Sequence, residues 1–250
     1  VYKTNTAIRL EPHMPYSYYS YGYGAGLNTS YILLVIVSLI LGLATQSYIK
    51  TTYRKWSSVR ASLPGSGAEV ARRMLDEGGA SNIGIDRIAG ELTDNFNPSD
   101  GRLHLSSANF LGASVASVAV ACHEAGHAVQ AQKGFWMYRL RRSLAPVVSF
   151  ASNAWMAVLM IGVFMNAMGL VKVAIFLFAA TVVFSLVTLP VEIDASRRAV
   201  EYLGKYGSGL DQKGARQVLT AAALTYVAAA LVSILQLVYL LGQYGDRDRG

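Results

Sequence analysis

Charged residues are spread unevenly along this chain, and four long stretches run almost without them: Tyr31–Tyr48 (YILLVIVSLILGLATQSY), about Ala154–Val171 with Asn166 as its main polar interruption, Val173–Val191 (VAIFLFAATVVFSLVTLPV) and Ala221–Leu241 (AAALTYVAAALVSILQLVYLL). At about 1.5 Å per residue, each is long enough to cross the apolar core of a bilayer as a helix. The pattern predicts an integral membrane protein, mainly α-helical, with about four transmembrane helices. Four such spans weigh against the alternative of buried helices in a soluble bundle.

Between the spans the pattern changes. Residues 1–30 include PYSYYSYGYGAG, a tract without helical or strand period that reads as a flexible or interfacial segment, and Met14 reads as a candidate start. After the first span, KTTYRKWSSVR is a basic amphipathic stretch with Trp56, suited to the membrane interface. SGAEVARRMLDEGG predicts a short helix that starts at Ser66 or Gly67, keeps Val70, Met74 and Leu75 on one face, and stops at Gly78 and Gly79. NPSDG predicts a turn between two extended runs, the second being RLHLS. Residues 107–132, rich in Ala and Val, predict one long helix. The expected organisation is therefore an N-terminal segment (1–30), span 1 (31–48), a cytoplasmic α+β module (49–148) with a small hairpin, spans 2 (149–171) and 3 (173–191), a second cytoplasmic helical piece (192–220), span 4 (221–241) and a tail (242–250).

Composition sharpens this picture. Only 15% of the 250 residues are charged, against about 25% in an ordinary soluble domain. Of the 22 Lys and Arg, twelve lie between the first and second spans and five between the third and fourth. Basic residues beside span ends are retained on the cytoplasmic side, so both long connections are expected there, with both termini outside. The net charge of +7 needs no nucleic-acid partner, because it clusters where anionic headgroups would meet it. The single cysteine, Cys122, excludes an intramolecular disulfide.

The chemistry lies in ACHEAGHAVQ, Ala121–Gln130. On a helix, His123 and His127 stand about 6 Å apart on one face and can offer two imidazole nitrogens to one Zn²⁺. Glu124 points to the side, where it can hold and deprotonate a water without ligating the metal. Gly126 is expected to leave room for substrate. Cys122 points about 100° away from His123 and reads as a small buried thiol. A catalytic zinc takes three protein ligands, so one more is needed. Glu192, just after Pro190 in LPVEIDASRRA, is the best placed, and His104 in RLHLS is the other choice; Asp194 points away from Glu192. His13 is expected on the outer side. Tyr138, Tyr202, His104 and Arg197 are candidates for stabilising an oxyanion.

These residues carry a resemblance. GAEVARRML, the LTD-containing hairpin, AVACHEAGHAVQ, LRRSLAPVVSFASN and LVTLPVEIDASRRA occur in order, and the chain from about Tyr31 to Leu241 resembles the YugP-like bacterial membrane zinc metallopeptidases, themselves similar to the gluzincin proteases that include HtpX and the CAAX prenyl endopeptidases. The resemblance implies one Zn²⁺ per chain held by His123, His127 and Glu192, with Glu124 as general base. It also implies a bacterial plasma membrane location and an active site on the cytoplasmic side. Those relatives carry Glu-x-x-Ala-Asp-Arg; the matching run here is EIDASR, which makes Arg197 a candidate for supporting the metal site or anchoring substrate and puts Ser196 where they keep an aspartate. By the same analogy Leu103–Leu105 would pair with an extended peptide. The implied partners are a protein or peptide substrate, membrane proteins among them, and the lipid bilayer. Two further readings stay on the table: an intramembrane protease of the site-2 type, which the absence of an LDG-like motif disfavours, and a non-catalytic zinc-binding membrane scaffold.

Overall fold

A computed structural model describes residues 29–91 and 93–245. The tyrosine-rich N-terminal segment with His13 and Met14, and the end of the tail with Asp246 and Asp248, lie outside the described residues. In chain order the elements are α1 (Thr29–Ser57), α2 (Gly67–Glu77), β1 (Gly84–Ile88), β2 (Asn95–Asn97), β3 (Arg102–Ser106), α3 (Ser107–Leu111), α4 (Val115–Gln132), α5 (Trp136–Phe164), α6 (Met168–Tyr206) and α7 (Gly209–Tyr244).

Four helices, α1, α5, α6 and α7, are long and apolar enough to cross a membrane. They pack in the order α1, α7, α6, α5, each mainly against its neighbour in that row. Many of their large apolar side chains face outward, Leu39, Leu43, Phe150, Phe164 and Phe176 among them. Such exposure suits lipid and would be costly in water. At about 1.5 Å per residue, the 39 residues of α6 and the 36 of α7 reach far past a hydrocarbon core of about 30 Å. The piece expected between spans 3 and 4 is therefore no separate element. It is the continuation of α6 and α7, joined at a tight corner where Ser208 and Asp211 form a reciprocal cap.

The smaller part of the protein packs onto these extensions. In α2, Ser66 and Glu69 form a capping box, satisfying the first free N–H groups of the helix, and Val70, Ala71, Met74 and Leu75 are buried. They join Leu103, Leu105, Val115, Val118 and Ala199 in one core with Trp56 of α1. The Trp56 indole N–H donates to Gln217 of α7 at 2.9 Å, fastening the end of the first span to the last.

The long helix expected over 107–132 is two helices. Gly112 and Ser114 leave the helical conformation, the Ser114 hydroxyl accepts from the Ser117 N–H to start α4, and the edge of the break is tied down by Ala61 N–H to Ala113 O at 2.9 Å. The hairpin around NPSDG is present, with Gly101 at φ +68°, but it belongs to a three-stranded sheet of order β1-β3-β2. β1 pairs parallel and β2 antiparallel with β3. The first turns of α5, from Trp136, were expected to belong to the α+β module; they are instead continuous with the second span.

Candidate metal centre

His123 and His127 sit one turn apart on α4, and α6 crosses directly over them. The crossing is close because Gly126 has no side chain: a Cβ there would stand 2.8 Å from the carbonyl oxygen of Ala195 and 3.2 Å from its Cα. Gly126 thus serves helix contact, not the substrate space expected for it. Ala195 and Ala199 keep the α6 side of this core equally small and are fully buried. The approach places the Glu192 carboxylate between the two rings, with Oε2 at 3.3 Å from His123 Nε2 and 3.5 Å from His127 Nε2. One donor atom from each of the three residues lies within 4.8 Å of the others. Ligands on a tetrahedral ion with bonds of about 2.0–2.2 Å stand about 3.3–3.6 Å apart, a spacing the Glu192 oxygen keeps to both rings, and two imidazoles with a carboxylate suit zinc in their chemistry.

The second nitrogen of each ring is also held. Gln130, fully buried, uses its amide group to donate to Val191 O at 2.8 Å and to Asp194 Oδ2 at 2.9 Å. Both partners are acceptors, which fixes the orientation of the amide and leaves Gln130 Oε1 to accept from His127 Nδ1 at 3.0 Å. The proton of His127 therefore sits on Nδ1, and Nε2 keeps its lone pair for the metal. Asp194 is itself held by Arg197 and Arg198, each at 2.6 Å. Neither Gln130 nor the role of Asp194 was anticipated; a glutamine one turn from a histidine looks like any other buried polar residue. On the other ring, Ser196 Oγ lies 3.1 Å from His123 Nδ1, so the hydroxyl occupies the orienting position that the aspartate of the related pattern suggested. Arg141 approaches Glu192 Oε1 at 3.1 Å and offsets its charge from the side away from the rings.

Glu124 is held apart from this cluster. The backbone N–H of Phe96, in β2, donates to its Oε2 at 3.0 Å. Burial pushes its carboxyl up to about 7, with nearby His123 working in the opposite direction. A cavity of about 290 Å³ opens beside the three candidate ligands and Glu124, bordered by Phe96, Tyr138, Arg141 and Tyr226. Cys122 is fully buried, and burial pushes its thiol up to about 12, which disfavours a metal-binding thiolate.

Several sequence expectations are corrected here. His104 turns onto Asp100 of its own hairpin at 2.9 Å and is not in the metal cluster. Leu103 and Leu105 are fully buried in β3, the central strand with partners on both sides, so no peptide can add to it. The edge strand beside the cavity is β2, whose Phe96 N–H is taken by Glu124. Arg197 lies outside the cavity, away from any substrate, but it keeps the supporting role expected of it, bound to Glu201 and to the Asp194 that holds Gln130; Tyr202 packs on Tyr206 away from the metal centre. Of the four residues considered for an oxyanion, Tyr138 alone borders the site, its ring 6.4 Å from that of His127. Asp94, Phe96, Arg141 and Tyr226 border it without having been anticipated, because each comes from a different element.

Four helices fit to cross a membrane, with two imidazoles and a carboxylate around one point and a second carboxylate beside them, define a membrane protein with a candidate metal centre. The match of residues 31–244 to a family model makes the class specific: the chain belongs to the family described as "Putative neutral zinc metallopeptidase", which implies zinc as its metal. A curated relative, "Putative membrane protease YugP" of Bacillus subtilis (strain 168), is 40% identical over 209 residues, covering 83% of this chain and 93% of that protein. No solved structure matches the chain.

Proposed function

We propose that this protein is a zinc-dependent endopeptidase of the bacterial plasma membrane, with one zinc ion per chain held by His123, His127 and Glu192 and its active site on the cytoplasmic side. The observation that carries the reading is the pairing of a complete three-donor set with a separate buried carboxylate, Glu124, that a merely structural metal site would not need. Zinc bound there would supply Lewis acidity, acidifying a water and polarising a carbonyl.

The remaining chemistry belongs to the protein. Glu124 Oε2 is occupied by the Phe96 N–H, so Oε1 is the oxygen left to take a proton from the attacking water and return it to the leaving amine. Tyr138 and Tyr226, whose rings border the cavity, are the hydroxyls placed to donate to the developing oxyanion. β2, the edge strand that borders the cavity, is the strand placed to run beside an extended substrate, a role first expected of β3, although its Phe96 N–H is already engaged by Glu124. Cytoplasmic placement rests on the basic residues gathered in the first and third connections.

The test is Glu124→Gln in the full-length protein. It is expected to keep its zinc by elemental analysis and to lose casein cleavage by at least about 100-fold. Full cleavage by the zinc-loaded variant would remove Glu124 from the mechanism, and a wild-type protein that binds zinc but cleaves nothing would favour the scaffold reading.

A further inference from the structure

The extensions of α6 and α7 beyond the spans leave a groove of about 490 Å³ between them. Ile193 and Val200 of α6 and Leu219 and Ala223 of α7 give it apolar walls. The apolar stretch of span 3 ends at Val191 and that of span 4 begins at Ala221, so the groove straddles the level at which both helices leave the membrane. Its apolar surface continues below that level. Leu186, seven residues before Ile193, and Val227, four after Ala223, extend the same helix faces into the spans and are exposed. At the other end Gln212 closes the groove over Gly204, where a Cβ would stand 2.2 Å from Gln212 Nε2.

The polar groups differ between the two helices. On α6, Arg197 and Glu201 neutralise each other at 3.2 Å, and Arg197 also holds Asp194. On α7, Gln212, Arg216 and Thr220 follow at intervals of four and line the groove as one stripe of hydrogen-bond donors. None of these three side chains has a hydrogen-bond or ion-pair partner among the described residues. Ser196 completes the wall, the same serine whose hydroxyl lies 3.1 Å from His123 Nδ1. The groove therefore backs onto the metal centre without opening into the cavity beside the candidate ligands.

We infer that this groove binds one anionic phospholipid, its phosphate on Arg216 with Gln212 and Thr220 beside it, and an acyl chain running past Ile193 and Ala223 into the bilayer. A guanidinium offers a planar fork of N–H donors that matches two phosphate oxygens, and here no carboxylate competes for it. Glu201, the one carboxylate on the groove wall among the described residues, is already taken by Arg197. One positive charge is thus left uncompensated, and the ammonium of a zwitterionic headgroup finds no acceptor of its own. A soluble anion would leave the apolar walls in water, whereas a lipid covers the walls and the donors together. The site stands on the membrane reading of α6 and α7 and is independent of the peptidase chemistry.

The experiment titrates delipidated full-length protein in a neutral detergent with phosphatidylglycerol, with phosphatidylcholine of the same acyl chains, or with glycerol phosphate, and reads the bound species by native mass spectrometry. One phosphatidylglycerol per chain should be held about 5- to 10-fold more tightly than phosphatidylcholine, and glycerol phosphate should not displace it. Arg216→Gln should weaken phosphatidylglycerol by about 5- to 10-fold and Arg216→Lys by less, while Arg54→Gln, which removes an exposed charge of α1 outside the groove, should cost less than about twofold. A phosphatidylglycerol carrying a diazirine in its acyl chain should crosslink to peptides that contain Ile193 or Ala223. Equal retention of the two lipids, equal losses in Arg216→Gln and Arg54→Gln, or crosslinks confined to other segments would overturn the site. Displacement by glycerol phosphate would make the groove a soluble-anion site, and a dimer that forms only without lipid would make it a contact between copies; either result also overturns the inference.

Discussion

Gln130 donates to Asp194 Oδ2 at 2.9 Å while its own carbonyl oxygen accepts from His127 Nδ1 at 3.0 Å, so a carboxylate on α6 sets the tautomer of a histidine on α4 through one buried amide. Gln130→Leu keeps roughly the size of the side chain and removes both links. Zinc affinity, read by competition with a chromogenic chelator, is expected to fall by about 10- to 100-fold. Unchanged affinity would mean that the ring needs no such support.

Gly126 makes a steric prediction. In Gly126→Ala the new methyl would stand 2.8 Å from the Ala195 carbonyl oxygen, so α6 must move away and carry Glu192 with it. The expected outcome is lower zinc occupancy and a lower melting temperature, despite alanine's better helix propensity of about 1 kcal/mol. Gly42→Ala in α1, where nothing lies within 4 Å of the added Cβ, is the matched control and should leave zinc occupancy unchanged without lowering the melting temperature.

Burial of Glu124 predicts a pH effect in the metal-free protein. A carboxyl whose folded value is raised from about 4.5 to about 7 favours the folded state fully below pH 4.5 and loses that advantage as pH rises through 7. The difference is on the order of 3 kcal/mol at about 1.4 kcal/mol per unit. Glu124→Gln should therefore raise the melting temperature of metal-free protein more at pH 8 than at pH 5. An equal shift at both values would contradict the assigned cause.

Orientation can be read from accessibility. Cys122 is fully buried, which keeps the background of thiol labelling low. Ser99 in the hairpin and Asn166 between α5 and α6 are both exposed, at opposite ends of the molecule along the spans. With the metal centre on the cytoplasmic side, a membrane-impermeant maleimide on intact cells should label Asn166→Cys and spare Ser99→Cys until the cells are opened. The reverse pattern would invert the topology.

Much of the candidate site was visible before any fold. The i, i+4 histidines, Glu124 and the short choice of third donors follow from local helix geometry and from the scarcity of acidic residues after the motif. The helix starting at Ser66 was equally visible, because a capping box and a glycine stop are local signals. The break at Gly112–Ser114 was not, since an Ala- and Val-rich run hides a capping serine. β1 was missed because a parallel partner announces itself only through β3, across the hairpin.

The sequence by itself determined what each segment can do: which stretches can enter lipid, which two side chains can share a metal, and which carboxylate stands beside them. Those properties depend on spacing of one to four residues and on local polarity. Tertiary structure alone decided which distant groups meet. It put Glu192 against both imidazoles, set Gln130 and Ser196 against their other nitrogens, buried β3 in the middle of the sheet with β2 at the edge, and turned Gly126 from expected substrate space into a contact between helices. The physical reason is that these relationships arise from the packing of α4 on α6 and of the sheet beside them, where separations along the chain of as many as 73 residues become contacts of about 3 Å.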